Sequence, residues 1–202
     1  DAIESLLTKM AAKVEDGPCV AYVGPGGSGH FVKTVHNGIE YGIEQILAEA
    51  YDLLKRVKGM DGDQMSEVFG IWNKTDELSS YLVEITEICL NTKDELTGDD
   101  LVEMILDKAG QKGTGLWTVV SALELGVSIP TIYASLNARV MSSLKDQRSA
   151  IETEMPINEI QEFDFGNASN LMAPLFDSVV LSSIAISFKP AATEDRVSEY
   201  DG

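Results

Sequence analysis

The chain has 202 residues with a hydrophobic fraction of 44%, which suffices for one sizeable folded domain or for part of a larger protein. Its formal net charge of -18 at pH 7 argues against nucleic acid or an anionic membrane as the main partner, since both require a basic surface. No run in the sequence approaches the roughly 18 consecutive apolar residues that a membrane-spanning helix needs.

The charge is distributed unevenly along the chain. Residues 59–106 carry twelve acidic and two basic side chains, and residues 151–202 carry ten acidic and two basic ones. Residues 107–148 instead carry five basic and three acidic side chains. A locally positive segment in an acidic chain is suited to holding a small anion, although uneven surface charge alone explains it equally well.

Apolar periodicity predicts a mainly helical, all-α protein with one short strand near its start. Residues 1–14 have the pattern of an amphipathic helix. The apolar run at residues 19–23 lies between glycine-containing turns and is typical of a strand. A long helix is predicted over residues 30–57, because apolar side chains recur there at three- and four-residue spacing.

Shorter helices are predicted along the rest of the chain. Asp63 is suited to cap a helix that runs to about residue 70, because its carboxylate can accept amide hydrogens at a helix start. Four further helices are expected, at residues 78–90, 99–109, 117–125 and 130–150. After residue 155 the sequence is turn-rich and acidic, with an apolar stretch at residues 176–188 that fits either a strand or a buried helix.

A glycine-rich loop precedes the long helix. Gly24, Gly26 and Gly29 have the spacing of a dinucleotide-binding fingerprint between a strand and a helix. That motif also needs a second strand about 20 residues later, where this chain is still within the predicted helix. A strand-to-helix junction, in which glycines permit unusual backbone angles, is therefore the favoured interpretation.

A second glycine-rich loop covers residues 110–115. It lacks the ending of a P-loop. Lys112 and Thr114 are nevertheless suitable phosphate ligands, as a positive charge and a hydroxyl donor near a helix start. Without further context an exposed turn is the slightly favoured alternative.

The predicted long helix carries a polar face. Lys33, His36, Asn37 and Glu40 stand at i, i+3, i+4 and i+7, so they lie along one side over two turns. Their position beside an apolar stripe suggests a face that looks into a cleft. An exposed face with a weak Lys–Glu pair is the alternative that spacing alone favours. His36 and Glu40 lack a third ligand nearby, and no metal site is expected.

The same segment carries a family resemblance. Its sequence is GSGHFVKTVHNGIEYG (residues 27–42), which is similar to the signature of the 6-phosphogluconate dehydrogenase family, with Thr34 where the family more usually has methionine. Three further similar segments follow in the family order: VFGIWNKTDELSSYLVEIT at residues 68–86, DKAGQKGTGLWT at residues 107–118 and ARVMSSLKDQR at residues 138–148. Leu116 departs from the lysine that is commonest at its place. The matches together cover roughly residues 5–150.

The resemblance implies an enzyme of the pentose phosphate pathway that uses NADP to oxidise and decarboxylate 6-phosphogluconate to ribulose 5-phosphate, without a metal. By residue match, Lys33 is the general base that takes the proton of the C3 hydroxyl. Glu40 is the acid that protonates the enediol at C1. These roles require surroundings that lower the pKa of the lysine and raise the pKa of the carboxyl.

Further matches concern substrate binding. His36, Asn37 and Tyr41 match family residues that contact the substrate. Lys112, Thr114 and Arg139 match the family residues that bind the phosphate of the substrate. The phosphate residues all fall within the locally positive segment at residues 107–148. Arginine suits a phosphate because its planar fork donates two parallel hydrogen bonds.

The resemblance also implies a domain organisation. Residues 1–26 correspond to the end of a dinucleotide-binding domain, residues 27–150 to the helical substrate domain, and residues 151–202 to a divergent acidic C-terminal segment. Most of the cofactor domain is expected to precede this chain. The NADP-binding residues therefore remain unassigned, and the chain alone is expected to give no NADP reduction.

Two hypotheses about function follow. In the first, the chain is part of the dehydrogenase, with 6-phosphogluconate as its substrate. In the second, it is a truncated, non-catalytic paralogue that serves as a structural or interaction protein. A helical domain with uncovered apolar faces is expected to form a homodimer or to bind another protein. The expected compartment is the cytoplasm, with the plastid as the second option.

Overall fold

The computed structural model describes residues 3–154 of the chain. Within these residues eight helices and one pair of two-residue strands form. Their order is α1 (Glu4–Met10), β1 (Lys13–Val14), β2 (Gly17–Pro18), α2 (Ser28–Arg56), α3 (Gly62–Trp72), α4 (Tyr81–Leu90), α5 (Leu101–Met104), α6 (Thr114–Glu124), α7 (Pro130–Ser143) and α8 (Lys145–Glu154). The prediction of a mainly helical protein is confirmed, whereas the predicted features after residue 155 lie outside the described residues.

The chain divides into two compact units, of which the first ends at Lys33. In this first unit β1 and β2 form a small antiparallel hairpin, which Gly17 allows through its positive φ of 121°. The helix predicted at residues 1–14 is thus confirmed only for Glu4–Met10. The strand predicted at residues 19–23 is wrong: these residues are exposed and lie outside the hairpin. A lone strand leaves its amides unpaired, so apolar composition alone does not stabilise one.

Helix α2 confirms the predicted long helix almost to the residue. Its 29 residues run from Ser28 to Arg56, and basic side chains in the last turn complement the negative end of the helix dipole. Within the second unit α2 buries one apolar stripe, as the three- and four-residue spacing predicts: Val35, Tyr41, Ile46, Leu47, Ala50 and Leu54.

Helices α3 and α4 pack against each other as an antiparallel hairpin with a well-filled core. The rings of Phe69 and Trp72 lie 4.9 Å apart, and Phe69 is fully buried. The cap of α3 is Asp61, and not Asp63 as predicted. Its side chain accepts the amide hydrogen of Gln64 at 2.9 Å, and the Gln64 side chain accepts that of Asp61 at 3.0 Å. This reciprocal pair outcompetes Asp63, which already lies in the first turn.

Helix α5 is much shorter than the predicted helix at residues 99–109. It ends at Met104, and an irregular segment follows that contacts to α7 and α8 hold in place. Asp107 binds Lys145 and Arg148, and the Ala109 amide donates to Ser142 Oγ at 2.7 Å. These contacts replace the local hydrogen bonds that a continued helix would make.

The remaining helices follow the predictions with one interruption. Helix α6 begins at Thr114, three residues earlier than expected, and ends at Glu124. The helix predicted at residues 130–150 is divided at Leu144, whose ψ of 45° interrupts the helical ladder between α7 and α8. Among residues 3–154, no helix is both long and apolar enough to cross a bilayer.

The contact between Asp107 and α8 makes stability depend on pH. Hydrogen bonds from Lys145, and then from Arg148, lower the pKa of Asp107 from 3.8 to about 2. Because folding lowers this pKa, the ion pair stabilises the fold fully above the unfolded-state pKa of 3.8. The stabilisation is lost as the pH falls through the folded-state pKa of about 2. We expect Asp107→Asn to lower the melting temperature at pH 7 by roughly 1–3 °C, a small effect because the pair is exposed to solvent.

Thermal unfolding from pH 7 down to pH 2 measures this dependence. The difference in melting temperature between Asp107→Asn and the wild type should narrow as the pH falls below 3.8, the pKa of this carboxyl in the unfolded chain. Asp99→Asn, which changes an exposed acid to its amide in the same way, serves as the control. A difference that stays constant down to pH 2 would contradict the role assigned to the ion pair.

Candidate functional site

Helices α2 and α6 approach closely at two glycines. A Cβ at Gly38 would lie 2.5 Å from the nearest side-chain atom of Thr118, and a Cβ at Gly115 would lie 2.5 Å from the Tyr41 ring. Both glycines and Thr118 are buried. Thr118 Oγ1 lies 2.8 Å from the Thr34 carbonyl oxygen and 2.9 Å from that of Thr114, and its single hydrogen can be donated to either. The bare glycine surfaces thus allow the polar residues of the two helices to meet.

Asn37 and Thr114 make the first polar contact at this junction. The amide Nδ2 of Asn37 donates to Thr114 Oγ1 at 3.3 Å. The other amide atom, Oδ1, is buried without a hydrogen-bond partner in the described part of the chain. Buried acceptors are rarely left unpaired, so Oδ1 is suited to receive a hydrogen bond from a bound molecule.

Arg139 on α7 lies at the other end of the same cluster. Its guanidinium carbon lies 3.9 Å from the centroid of the Tyr41 ring, a cation–π arrangement. Its Nη1 donates to the Gly110 carbonyl at 3.1 Å, and its Nη2 is ion-paired with Glu44. Arg139 therefore connects α7 with α2 and with the glycine-rich loop before α6. Tyr41 itself is only 9% exposed.

The other predicted site residues are more open to solvent. His36 Nδ1 lies 3.3 Å from Glu40 Oε2, one helical turn further along α2, and both side chains are partly exposed. Lys33 is exposed near the start of α2, and Lys112 is exposed in the loop two residues before Thr114. Four of the eight predicted residues thus form one cluster across three helices: Asn37, Tyr41, Thr114 and Arg139.

Two residues that contact this cluster were not among the predicted ones. Glu44 continues the predicted polar face by one turn, because it follows Glu40 at i+4. Extending the spacing rule past Tyr41 would have found it. Thr118 is a fully buried threonine on α6 that bonds two backbone carbonyls, and nothing in its local sequence distinguishes it from an ordinary helix residue.

The first glycine-rich loop has the geometry of a tight junction into α2. Gly24 and Gly26 have positive φ values of 141° and 59°. Ser28 Oγ donates to the Pro25 carbonyl at 2.7 Å, which closes the turn at the helix start. The glycine turn into α2 is thus confirmed, whereas the strand-to-helix junction favoured from the sequence is wrong in its first part, because no strand precedes the loop. Among residues 3–154, no group of three or more His, Cys, Asp and Glu side chains is placed to bind a metal.

Comparison with known proteins shows which family this chain resembles. The model of the 6-phosphogluconate dehydrogenase C-terminal domain family matches residues 29–192. The match extends past the last similar motif at residues 138–148 into the C-terminal segment. A decarboxylating 6-phosphogluconate dehydrogenase of Synechococcus elongatus is 52% identical over 185 residues, which cover 91% of this chain and 39% of the relative. A chloroplastic one of Arabidopsis thaliana is 57% identical over 148 residues, which cover 73% of this chain and 30% of the relative.

A solved structure shares the fold. It is a 6-phosphogluconate dehydrogenase of Plasmodium falciparum, studied as the apo form, with its cofactor NADP+ and with its substrate 6-phosphogluconate. It superimposes with a TM-score of 0.78 at 40% identity, covering 98% of this chain and 42% of that chain. The chain therefore spans about two fifths or less of the length of these relatives.

Proposed function

This chain belongs to the 6-phosphogluconate dehydrogenase C-terminal domain family, and from that premise we propose that it forms the substrate-binding part of a decarboxylating dehydrogenase. The substrate in this proposal is 6-phosphogluconate and the product is ribulose 5-phosphate. The observation that carries the proposal is the cluster of Asn37, Tyr41, Thr114 and Arg139, which joins α2, α6 and α7.

The phosphate end of the substrate is assigned to Arg139 and its neighbours. The guanidinium supplies a positive charge and a planar fork of N–H groups, which match the oxygens of a phosphate. Thr114 Oγ1 accepts the hydrogen bond from Asn37 and keeps its own hydrogen for donation. Lys112 adds a second positive charge from the adjoining loop, where its exposure leaves it able to move towards an anion.

The sugar-acid end is assigned to the residues on α2. Asn37 Oδ1 is a buried acceptor that a substrate hydroxyl would satisfy. His36 lies one residue before Asn37, and its imidazole is oriented by Glu40 through the contact at 3.3 Å. Substrate binding at these residues would place the reacting carbons along the polar face of α2.

The proton transfers are assigned to Lys33 and Glu40. Lys33 takes the proton of the C3 hydroxyl while C3 loses a hydride, for which NADP would be the acceptor, and C3 becomes a ketone. The resulting β-keto acid loses carbon dioxide, and the ammonium of Lys33 polarises the ketone while negative charge develops on its oxygen. Glu40 then donates a proton to C1 of the enediol, which yields the ketose. Positioned acid–base groups of this kind contribute about 10²–10⁴-fold each to a rate.

NADP is the oxidant in this proposal and supplies the hydride acceptor. The described part of the first unit, residues 3–33, contains helix α1, a two-stranded antiparallel hairpin and the first turns of α2. A dinucleotide site is built on a parallel sheet with a helix after its first strand, so this unit does not fit one. We therefore assign none of residues 3–33 to the cofactor.

The compartment and the assembly belong to the same proposal. We place the protein in the cytoplasm or in a plastid, in line with bacterial and chloroplastic relatives. We also propose pairing with a second copy of the chain. Its support is the set of apolar side chains that stay exposed on α6 and α7: Leu116, Trp117, Val120, Leu123, Tyr133, Val140 and Met141.

Calorimetric titration of the purified chain tests the two ends of the substrate separately. We expect 6-phosphogluconate to bind at least about tenfold more tightly than gluconate, because only the former offers a phosphate to Arg139. Asn37→Ala should weaken both ligands by a similar factor, since the hydroxyls it would contact are common to them.

The exposed Asn91, which caps the C-terminal end of α4, provides the matched control, because Asn91→Ala removes the same side chain away from the contacts of the cluster. The proposal fails if the wild-type chain binds gluconate as tightly as 6-phosphogluconate. It also fails if the Asn37→Ala and Asn91→Ala variants bind 6-phosphogluconate with the same affinity.

A further inference from the structure

Arg139 is held from three directions before any ligand binds. The Tyr41 ring lies against its guanidinium at 3.9 Å, the Gly110 carbonyl accepts from Nη1 at 3.1 Å, and the Glu44 carboxylate is ion-paired with Nη2. Two of these partners are neutral, and only Glu44 carries a charge. The Arg139 side chain keeps 21% of its surface exposed, so a ligand can still reach it.

A bound phosphate and Glu44 require the same group. A guanidinium offers five N–H donors in one plane, and a bidentate anion uses two parallel ones. Nη1 donates one hydrogen to Gly110 and Nη2 one to Glu44, which leaves three N–H groups. A phosphate that takes the fork therefore shares the guanidinium with the carboxylate or displaces it. Two negative groups on one cation also repel each other, which weakens the second to arrive.

We propose that Glu44 is an internal competitor that lowers the affinity of Arg139 for the phosphate of the ligand. Glu44 neutralises the arginine in the free protein and yields to the incoming anion. This inference rests on the proposed role of Arg139 at the phosphate end of the substrate.

The exposure of Glu44 makes such an exchange physically reasonable. Its side chain is 45% exposed, so the carboxylate regains water contacts when it leaves the guanidinium. Arg139 keeps its orientation meanwhile, because the Tyr41 ring and the Gly110 carbonyl constrain its plane without Glu44. Glu44 is thus dispensable for orientation, while its charge acts directly on any anion at the same site.

Calorimetric titration of the Glu44→Gln variant tests this inference. Glutamine keeps the size and one acceptor oxygen of glutamate but removes the charge. We expect 6-phosphogluconate to bind roughly threefold to tenfold more tightly to the variant than to the wild type, as for removal of one unit charge near a partly exposed site. The affinity for gluconate should stay unchanged, and the gain should shrink at high ionic strength.

Glu49→Gln is the matched control, because Glu49 is an exposed glutamate on the same helix whose partner is Gln45. Unchanged or weaker 6-phosphogluconate binding by Glu44→Gln, or an equal gain in Glu49→Gln, would overturn the inference. If the wild-type protein itself binds gluconate as tightly as 6-phosphogluconate, the proposed function is refuted instead. The two failures are therefore distinguishable.

Discussion

Replacement of Gly38 by alanine is expected to lower the free energy of unfolding by about 2–3 kcal/mol, as for other overpacked helix contacts. The added Cβ would lie 2.5–2.8 Å from three side-chain atoms of Thr118. Thr118 cannot move aside easily, because it is fully buried and its hydroxyl lies within hydrogen-bond distance of backbone carbonyls on two helices. The helices themselves must therefore separate, and Asn37 should lose its contact with Thr114.

Chemical denaturation of the purified chain measures this loss. Gly29→Ala is the control in the same helix, because a Cβ at Gly29 meets only one atom at an ordinary 3.9 Å. That variant should be unchanged or more stable by about 0.5–1 kcal/mol, since alanine is the better helix former. Equal stabilities of the two variants would show that α2 and α6 do not approach as closely as described.

Replacement of Arg139 by alanine is expected to weaken 6-phosphogluconate binding by about 10- to 100-fold, the range for losing hydrogen bonds to a charged group. The change removes the only charged side chain of the cluster. It also leaves the Glu44 carboxylate without its arginine partner beside the ligand. Gluconate binding should change little, because gluconate has no phosphate. The ratio of the two affinities, measured by calorimetric titration, is therefore the informative quantity.

Two further variants keep this prediction testable if Arg139→Ala perturbs the fold. Arg139→Lys retains the charge but loses the planar fork and should show an intermediate loss. Arg56→Ala removes an arginine from the end of α2, where its partner is Asp52 at 2.7 Å, and should bind both ligands normally. An unchanged affinity ratio in a folded Arg139→Ala protein would remove Arg139 from the phosphate site.

The predictions that failed share a physical cause. Local sequence favours a helix over residues 99–109, yet contacts from Asp107 to Lys145 and Arg148 hold part of it in an irregular conformation. The apolar run at residues 19–23 has strand composition, yet a strand requires a neighbour to pair its backbone. In both cases the outcome depends on residues distant in the chain or on partners that the local pattern does not contain.

Features that depend on local order or on a motif could be predicted from the chain alone. These are the long helix α2, which the structure confirms, and membership of the family, which the comparisons confirm. Helical periodicity can be recognised in the sequence because residues three and four positions apart are neighbours on any helix. A long motif can be recognised because its residues are consecutive in the chain.

How separate helices meet could be seen only in the folded structure. It brings Asn37 to Thr114, 77 positions apart in the chain, and places Arg139 over the Tyr41 ring. It also pairs Arg139 with Glu44, a residue that the sequence did not single out. Such contacts depend on how closely α2 and α6 can approach, and bare glycines opposite Thr118 and Tyr41 set that distance.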